Sequence, residues 1–224
     1  MTPLRQATLS PTPGRTIHDG IAYPDDDGLP MSDNSLQFHW IVTLQGGLDA
    51  LFRDDPEIVV AGNQLWYPVE GKPTIRAAPD VMVIFGRPKR YRGSYMQWLE
   101  GGVAPQVVFE VTSPSNRPGE MVRKFQFYDR YGVDEYYVYN PDCPALDGWL
   151  REGGHLEPIP EIDGWISPRL GVRIDLTGDE LQVFDPGGRA FATYVELVRQ
   201  REAERLRAER LAAQLRALGL EPEA

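Results

Sequence analysis

A single cysteine, Cys143, in 224 residues leaves no partner for an internal disulfide, so this chain is not held together like a small cross-linked secreted scaffold. It sits in Pro141-Asp142-Cys143-Pro144, a turn-like setting with no catalytic implication. Histidine is equally scarce: His18, His39 and His155 are scattered without the spacing of a zinc site, and His39 is read as structural. No run of about 18 apolar residues is present, which excludes a membrane-spanning helix. No basic start followed by an apolar stretch marks the N-terminus, so no secretory signal is expected and the cytoplasm is the default compartment. Ser113 lacks a Gly-x-Ser-x-Gly setting, and the stretch Gly86 to Ser94 lacks phosphate-loop spacing. Excess basic charge is missing too. A net charge of -10 argues against a protein that coats nucleic acid by bulk electrostatics, although a metal ion or a local basic patch can supply positive charge where it is needed. With 42% hydrophobic residues the chain can bury one sizeable core.

Within that core, two short apolar segments carry acids: Ala78-Pro79-Asp80-Val81-Met82-Val83-Ile84 and Gln106-Val107-Val108-Phe109-Glu110-Val111-Thr112-Ser113. A carboxylate among Val, Ile and Phe is desolvated and persists only where a cation, a proton or hydrogen-bond donors compensate it. Adjacent pairing of the two segments would bring Asp80 and Glu110 to one edge of a sheet. A shared divalent metal would then compensate both, and all-oxygen ligation suits Mg²⁺ or Mn²⁺. Lys124 lies on Gly119 to Tyr131, where Glu120, Lys124, Tyr128 and Tyr131 recur along one helical face. If that face looks onto the acids, the lysine can orient an attacking water or neutralise charge developing on a phosphoryl oxygen, as a phosphodiester hydrolase requires. Plainer readings stand beside this one. A Pro-Asp before a strand is often a turn, and Lys124 can pair with Glu120 at i,i+4 on a solvated face. Glu110 resists such a reading, because its neighbours describe a strand covered on both faces.

Along the chain, residues 1–30 are rich in Pro, Thr, Asp and Gly without sustained periodicity and read as a flexible or loosely packed leader. From Asn34, with Gln37 three residues on as a capping-type signal, apolar spacing predicts a helix to about Arg53, weakened or bent at Gly46-Gly47. Ile58 to Val60 and Gln64 to Tyr67 read as strands leading through a turn at Glu70-Gly71-Lys72-Pro73 to the Asp80 strand, a three-strand meander. The Glu110 strand, the Lys124 helix stopped by Gly132, and a strand from Glu135 to Tyr139 suggest a parallel crossover, hence a mixed α/β sheet. Gly148 to Arg151, Leu156 to Ile159, Val172 to Leu176 and Leu181 to Phe184 extend that domain with further β structure, to about residue 190. Residues 191–224 are a charged helical tail. Leu211, Leu215 and Leu218 give it a short apolar stripe, a candidate homodimer contact or partner handle.

Arg87-Pro88-Lys89-Arg90-Tyr91-Arg92, followed by Tyr95 and Trp98, combines phosphate-binding cations with aromatic faces that could stack on bases. Charge runs are usually solvated loops, so Arg87, Lys89, Arg90, Arg92 and Tyr95 stand as candidates for contact with DNA or RNA.

Taken in order, Ala78-Pro79-Asp80-Val81, Val107 to Ser115, Arg123-Lys124, Phe127 to Val133 and Glu135 to Tyr139 make the chain resemble the Uma-two family of putative restriction endonucleases, assigned to the PD-(D/E)xK nuclease superfamily. The likeness runs from Met31 to Leu176. It implies a restriction-endonuclease-like mixed sheet flanked by helices and metal-dependent cleavage of nucleic acid, DNA before RNA. Asp80 is similar to the aspartate of the PD half-motif and Glu110 to the acid of the (D/E)xK half-motif. Where that motif has lysine, this chain has Thr112, and Lys124 on the following helix is the replacement. On this reading Asp80 and Glu110 hold Mg²⁺, with Mn²⁺ as the alternative, the Val111 carbonyl completes the shell, and Lys124 positions the water. Thr112, Ser113 and Tyr128 support them; the Ser113 hydroxyl caps the next turn or hydrogen-bonds a metal-bound water. Two other readings stay open: a catalytically inert nuclease-like fold serving as a binding or assembly module, which the missing lysine at 112 favours, and hydrolysis of a small phosphorylated molecule.

Overall fold

The computed structural model describes residues 10–12, 15–25, 34–114 and 116–217. Strands β1 (Ser10–Thr12), β2 (Arg15–His18) and β3 (Ile21–Pro24) form a small antiparallel sheet. Asp19 and Gly20 turn β2 into β3 with positive φ at both positions, the conformation a tight hairpin requires. Tyr23 is fully buried against the rings of Tyr67 and Trp98, and its hydroxyl accepts the Gly71 N–H. This part of the expected leader is therefore built into the domain. Aromatic burial achieves it where composition indicated a loose segment; the leader's residues 1–9, 13–14 and 26–30 lie outside the described residues.

Helix α1 (Ser35–Leu51) starts where Asn34 accepts the Gln37 N–H at 2.7 Å. It runs through Gly46-Gly47 unbroken. The ring of Phe191 lies where a side chain at 47 would be, 2.2 Å from an ideal Cβ, so this glycine is a seat for packing. Then follow β4 (Ile58–Gly62), β5 (Trp66–Tyr67), β6 (Val81–Phe85), β7 (Tyr95–Met96), a 3₁₀ turn at Gln97–Glu100, β8 (Val107–Val111), α2 (Pro118–Tyr131), β9 (Glu135–Asn140), β10 (Ala145–Glu152), β11 (His155–Pro158), β12 (Arg173–Asp175) and β13 (Gln182–Phe184).

The main sheet has the order β11-β10-β9-β8-β6-β4, with only β8 and β9 parallel, joined across α2. The expected meander does not form: β4 pairs directly with β6, while β5 pairs with β7. Trp66 drives that departure, because its indole inserts against Phe127 and Tyr128 of α2 and its Nε1 donates to Gln97 Oε1 at 3.1 Å.

Alternation along the central strands then fixes which side chain meets which helix. Val81, Val83, Phe109, Val111, Tyr137 and Tyr139 pack with Trp40, Ile41, Leu44 and Leu48 of α1 and with Ile174 and Val183 of the β12–β13 extension. Met82, Ile84, Val108 and Tyr136 face the other way, against Tyr128 of α2. Glu110 shares the parity of Val108, and Asp80 that of Met82, so both acids belong to the α2 side.

The chain divides after Phe191. In the second unit, helix α3 (Tyr194–Ala217) buries none of its residues and exposes Val195, Leu197, Val198, Leu206, Leu211 and Leu215. The expected Leu218 of its stripe lies outside the described residues.

Candidate metal centre

Asp80 and Glu110 meet because of a defect in strand pairing. β6 and β8 pair through Val81 with Phe109, and the next hydrogen-bonding position would set Val111 opposite Pro79. Proline has no N–H to give, and the Pro79 carbonyl accepts instead from the Asn63 N–H at 3.1 Å. Both backbone groups of Val111 on that side therefore pass to side chains. Its N–H donates to Asp80 Oδ2 at 2.7 Å, and its carbonyl accepts from Gln37 Nε2 at 2.8 Å. Asp80 is 8% and Glu110 2% exposed, so neither carboxylate can rely on water.

Helix α2 supplies the compensation. Proline at its first position, Glu120 in its first turn and Gly132 in the left-handed conformation at its end define its limits. Arg151 fastens its C-terminus, donating to the carbonyls of Tyr128, Asp129 and Val133 at 3.2, 2.7 and 2.7 Å. One face then presents Lys124 and, one turn on, Tyr128. Lys124 Nζ lies 2.7 Å from Glu110 Oε2, and the Tyr128 hydroxyl donates to Glu110 Oε1 at 2.5 Å. Lys124 thus pairs with Glu110 rather than standing on a solvated face.

The electrostatics follow from this crowding. Burial, then the neighbouring Glu110 charge, hold the Asp80 carboxyl well above the usual carboxylate range; Lys124 and the Val111 N–H pull it back only in part. Burial alone would lower Lys124, but Glu110 and Asp80 outweigh it and keep the ammonium charged. Burial and Glu110 raise the Tyr128 hydroxyl, which stays a donor. Were both acids ionised, one ammonium would stand against two carboxylates, and it is this excess of negative charge that the raised Asp80 carboxyl reflects. The donor set is one a hard divalent cation could take: the Glu110 carboxylate on β8, the Asp80 carboxylate just before β6 and the Val111 carbonyl offer oxygen only, and a cation held there would relieve the Asp80–Glu110 repulsion.

The residues of the basic loop make contacts within the domain. Tyr95 is fully buried and donates its hydroxyl to the Val103 carbonyl at 2.7 Å, so it offers no face to a base. Arg92, with a side chain 6% exposed, forms a two-pronged ion pair with Glu100, Nε to Oε1 at 2.7 Å and Nη2 to Oε2 at 3.1 Å. Arg90 joins the same carboxylate at 2.7 Å, Arg87 reaches the Glu100 carbonyl at 3.0 Å, and Lys89 reaches the Phe52 carbonyl at 2.7 Å. Glu100, buried in the 3₁₀ turn, holds the Arg92 side chain inward, whereas the Arg90 side chain stays 57% exposed and Lys89 is exposed. The guanidinium partners of Glu100 outweigh burial and lower its pKa. Trp98 packs on Tyr23 and His18, while Tyr91 is 95% exposed.

Thr112 donates its hydroxyl to the Tyr139 carbonyl at 3.3 Å, a strand-edge contact, and Asn116 caps the Ser113 N–H at 2.7 Å. Sequence reasoning treated Gln37 only as a capping residue and passed over Glu100 and Arg151. Glu100 had a local signal, an acid eight and ten residues after two arginines, whereas the partners of Gln37 and Arg151 are distant in the chain. Among the described residues, one further group brings a histidine to two acids: His18 Nε2 lies 2.7 Å from Glu70 and 3.9 Å from Asp19. Ligation through Nε2 would put the proton on Nδ1, which is buried without a partner, so Nε2–H donating to Glu70 is the consistent tautomer.

Known proteins give this picture a context. The family model Uma2, described as "Putative restriction endonuclease", matches residues 22–220. The chain is similar to the crystal structure of a putative nuclease belonging to DUF820 from Anabaena variabilis, at 12% identity and a TM-score of 0.43, covering 67% of this chain and 78% of that one. No curated protein matches.

Proposed function

The chain belongs to the Uma2 family, whose model spans most of it, and from that premise we propose that it is a metal-dependent endonuclease that hydrolyses phosphodiester bonds of nucleic acid, DNA first. The observation that supports this best is the buried Asp80–Glu110 pair with the Lys124 ammonium 2.7 Å from Glu110. Asp80, Glu110 and the Val111 carbonyl would hold Mg²⁺ or Mn²⁺. Such an ion supplies Lewis-acid stabilisation of the phosphoryl group and a more acidic attacking water. Tyr128 holds Glu110 in orientation by donating to Oε1, which leaves Oε2 to Lys124. Lys124 keeps its charge at the mouth of the pair, where it offsets negative charge developing on the phosphoryl oxygens and orients the water. Arg117 and Arg123, exposed on and beside the first turns of the same helix, are better placed to hold phosphates than the buried Arg92.

The test is cleavage of supercoiled, linear and single-stranded substrates with Mg²⁺ or Mn²⁺, comparing wild type with Lys124→Met. The variant should lose about a hundredfold or more in rate, the scale of removing one charge-stabilising group. Undiminished cleavage by the variant would remove Lys124 from the chemistry. One observation favours the second reading, a module that assembles without cleaving: α3 buries none of its residues and exposes a run of apolar side chains. A homodimer through α3 predicts loss of self-association when the chain is truncated after Phe191, read by light scattering.

A further inference from the structure

Gln37 occupies the third position of α1, where a glutamine after a capping residue commonly reaches back to the backbone N–H of the cap. It does only half of that. Its own N–H is capped by Asn34, but its side chain turns inward, is 7% exposed as a residue, and spends its amide on a backbone carbonyl 74 positions away. That carbonyl belongs to Val111, whose N–H is held by Asp80. One peptide segment is thus gripped on a single edge by two side chains from different elements, because Pro79 cannot complete the ladder there.

We infer that Gln37 is a positioning residue of the metal centre: its amide fixes the Val111 carbonyl beside Asp80, so that the oxygen is presented to a cation in one orientation. This role rests on the metal reading above. A carbonyl oxygen has two lone pairs, so donation by Gln37 Nε2 leaves one free for ligation. The same bond anchors the first turn of α1 to the end of β8, tying the helix that packs one side of the sheet to acids that face the other. Outer partners that orient metal-binding groups are worth roughly 10- to 100-fold in metal affinity.

The test is Mn²⁺ titration by calorimetry on the full chain, comparing wild type, Gln37→Leu and Asp80→Ala, with thermal melts in chelator for each. Gln37→Leu should weaken Mn²⁺ binding by about tenfold or more and lower the metal-free melt by only a few degrees, the scale of one lost buried hydrogen bond, and Asp80→Ala should abolish binding. Gln37→Met, which keeps the unbranched stem, serves the same comparison if the leucine variant does not fold. Unchanged affinity in the folded Gln37 variant, with Asp80→Ala inactive in binding, overturns the role of Gln37 alone. Wild-type protein that takes up no Mn²⁺ overturns the metal reading and this inference with it. Tighter binding in a further variant, Gln37→Glu, combined with no loss in Gln37→Leu, would also overturn it, because position 37 would then address the ion directly.

Discussion

Replacing Asp80 by asparagine should stabilise the metal-free protein while destroying its affinity for metal. In the structure Asp80 Oδ2 accepts the Val111 N–H at 2.7 Å, and the carboxyl is pressed against Glu110. In Asp80→Asn the amide oxygen keeps the bond to Val111, and at a pH where both acids of the wild type are ionised the amide nitrogen replaces a carboxylate–carboxylate contact with a hydrogen bond donated to Glu110. A hydrogen bond to a charged group contributes about 1.5–3 kcal/mol, offset by roughly 1 kcal/mol for the weaker neutral acceptor at Val111. The net gain of about 0.5–2 kcal/mol corresponds to about 2–4 °C in Tm per kcal/mol for a chain of this size. The pH dependence has a definite sign. A carboxyl raised in the folded state stabilises the fold below its unfolded pKa, and that contribution is lost as pH rises through the folded value. Wild type therefore carries the penalty at pH 8 and not at pH 4, and the advantage of the variant shrinks as pH falls. The assay is thermal unfolding in chelator from pH 4 to 8, repeated with Mn²⁺, which should raise the melt of wild type only. A variant less stable than wild type at pH 8 in chelator, or an advantage that grows toward acid, would refute the reasoning.

Glu100→Gln should cost about 3 kcal/mol, the scale of breaking a buried ion pair, because Arg92 would be left buried without its partner. Glu100 has a lowered pKa, so its contribution is present at neutral pH and is lost as pH falls below the ordinary glutamate range; chemical denaturation at pH 7 and pH 3 would show the difference converge. Gly47→Ala should destabilise by about 1–3 kcal/mol through overlap with the Phe191 ring, and the smaller ring-deleted background Phe191→Ala should remove most of that cost in a double-mutant cycle.

How much of this could be read before the fold was known depended on the range of the interactions. Continuous apolar runs in Val81 to Ile84 and Val107 to Val111, interrupted only by Glu110, and a capped helix from Asn34 are local signals, and they locate the sheet, α1 and the α2 crossover. Lys124 and Tyr128 could be set on one face because one helical turn separates them. What stayed hidden was decided by partners distant in sequence or by a single buried group. Trp66 leaves the meander for a slot beside α2, Tyr23 draws an unpromising leader segment into the core, and Gln37 reaches Val111 rather than its own cap. The inward contacts of the basic loop were hidden for a related reason: the pairing of Arg90 and Arg92 with Glu100 appears only when the buried Glu100 is in view.

The most direct measurement is a calorimetric Mn²⁺ titration of wild type beside Glu110→Gln, both checked for folding by circular dichroism. A shared oxygen site predicts saturable binding by the wild type and none by the folded variant, which keeps the shape of the acid but not its charge. No binding by folded wild type, or equal binding by both, would contradict a metal centre at Asp80 and Glu110.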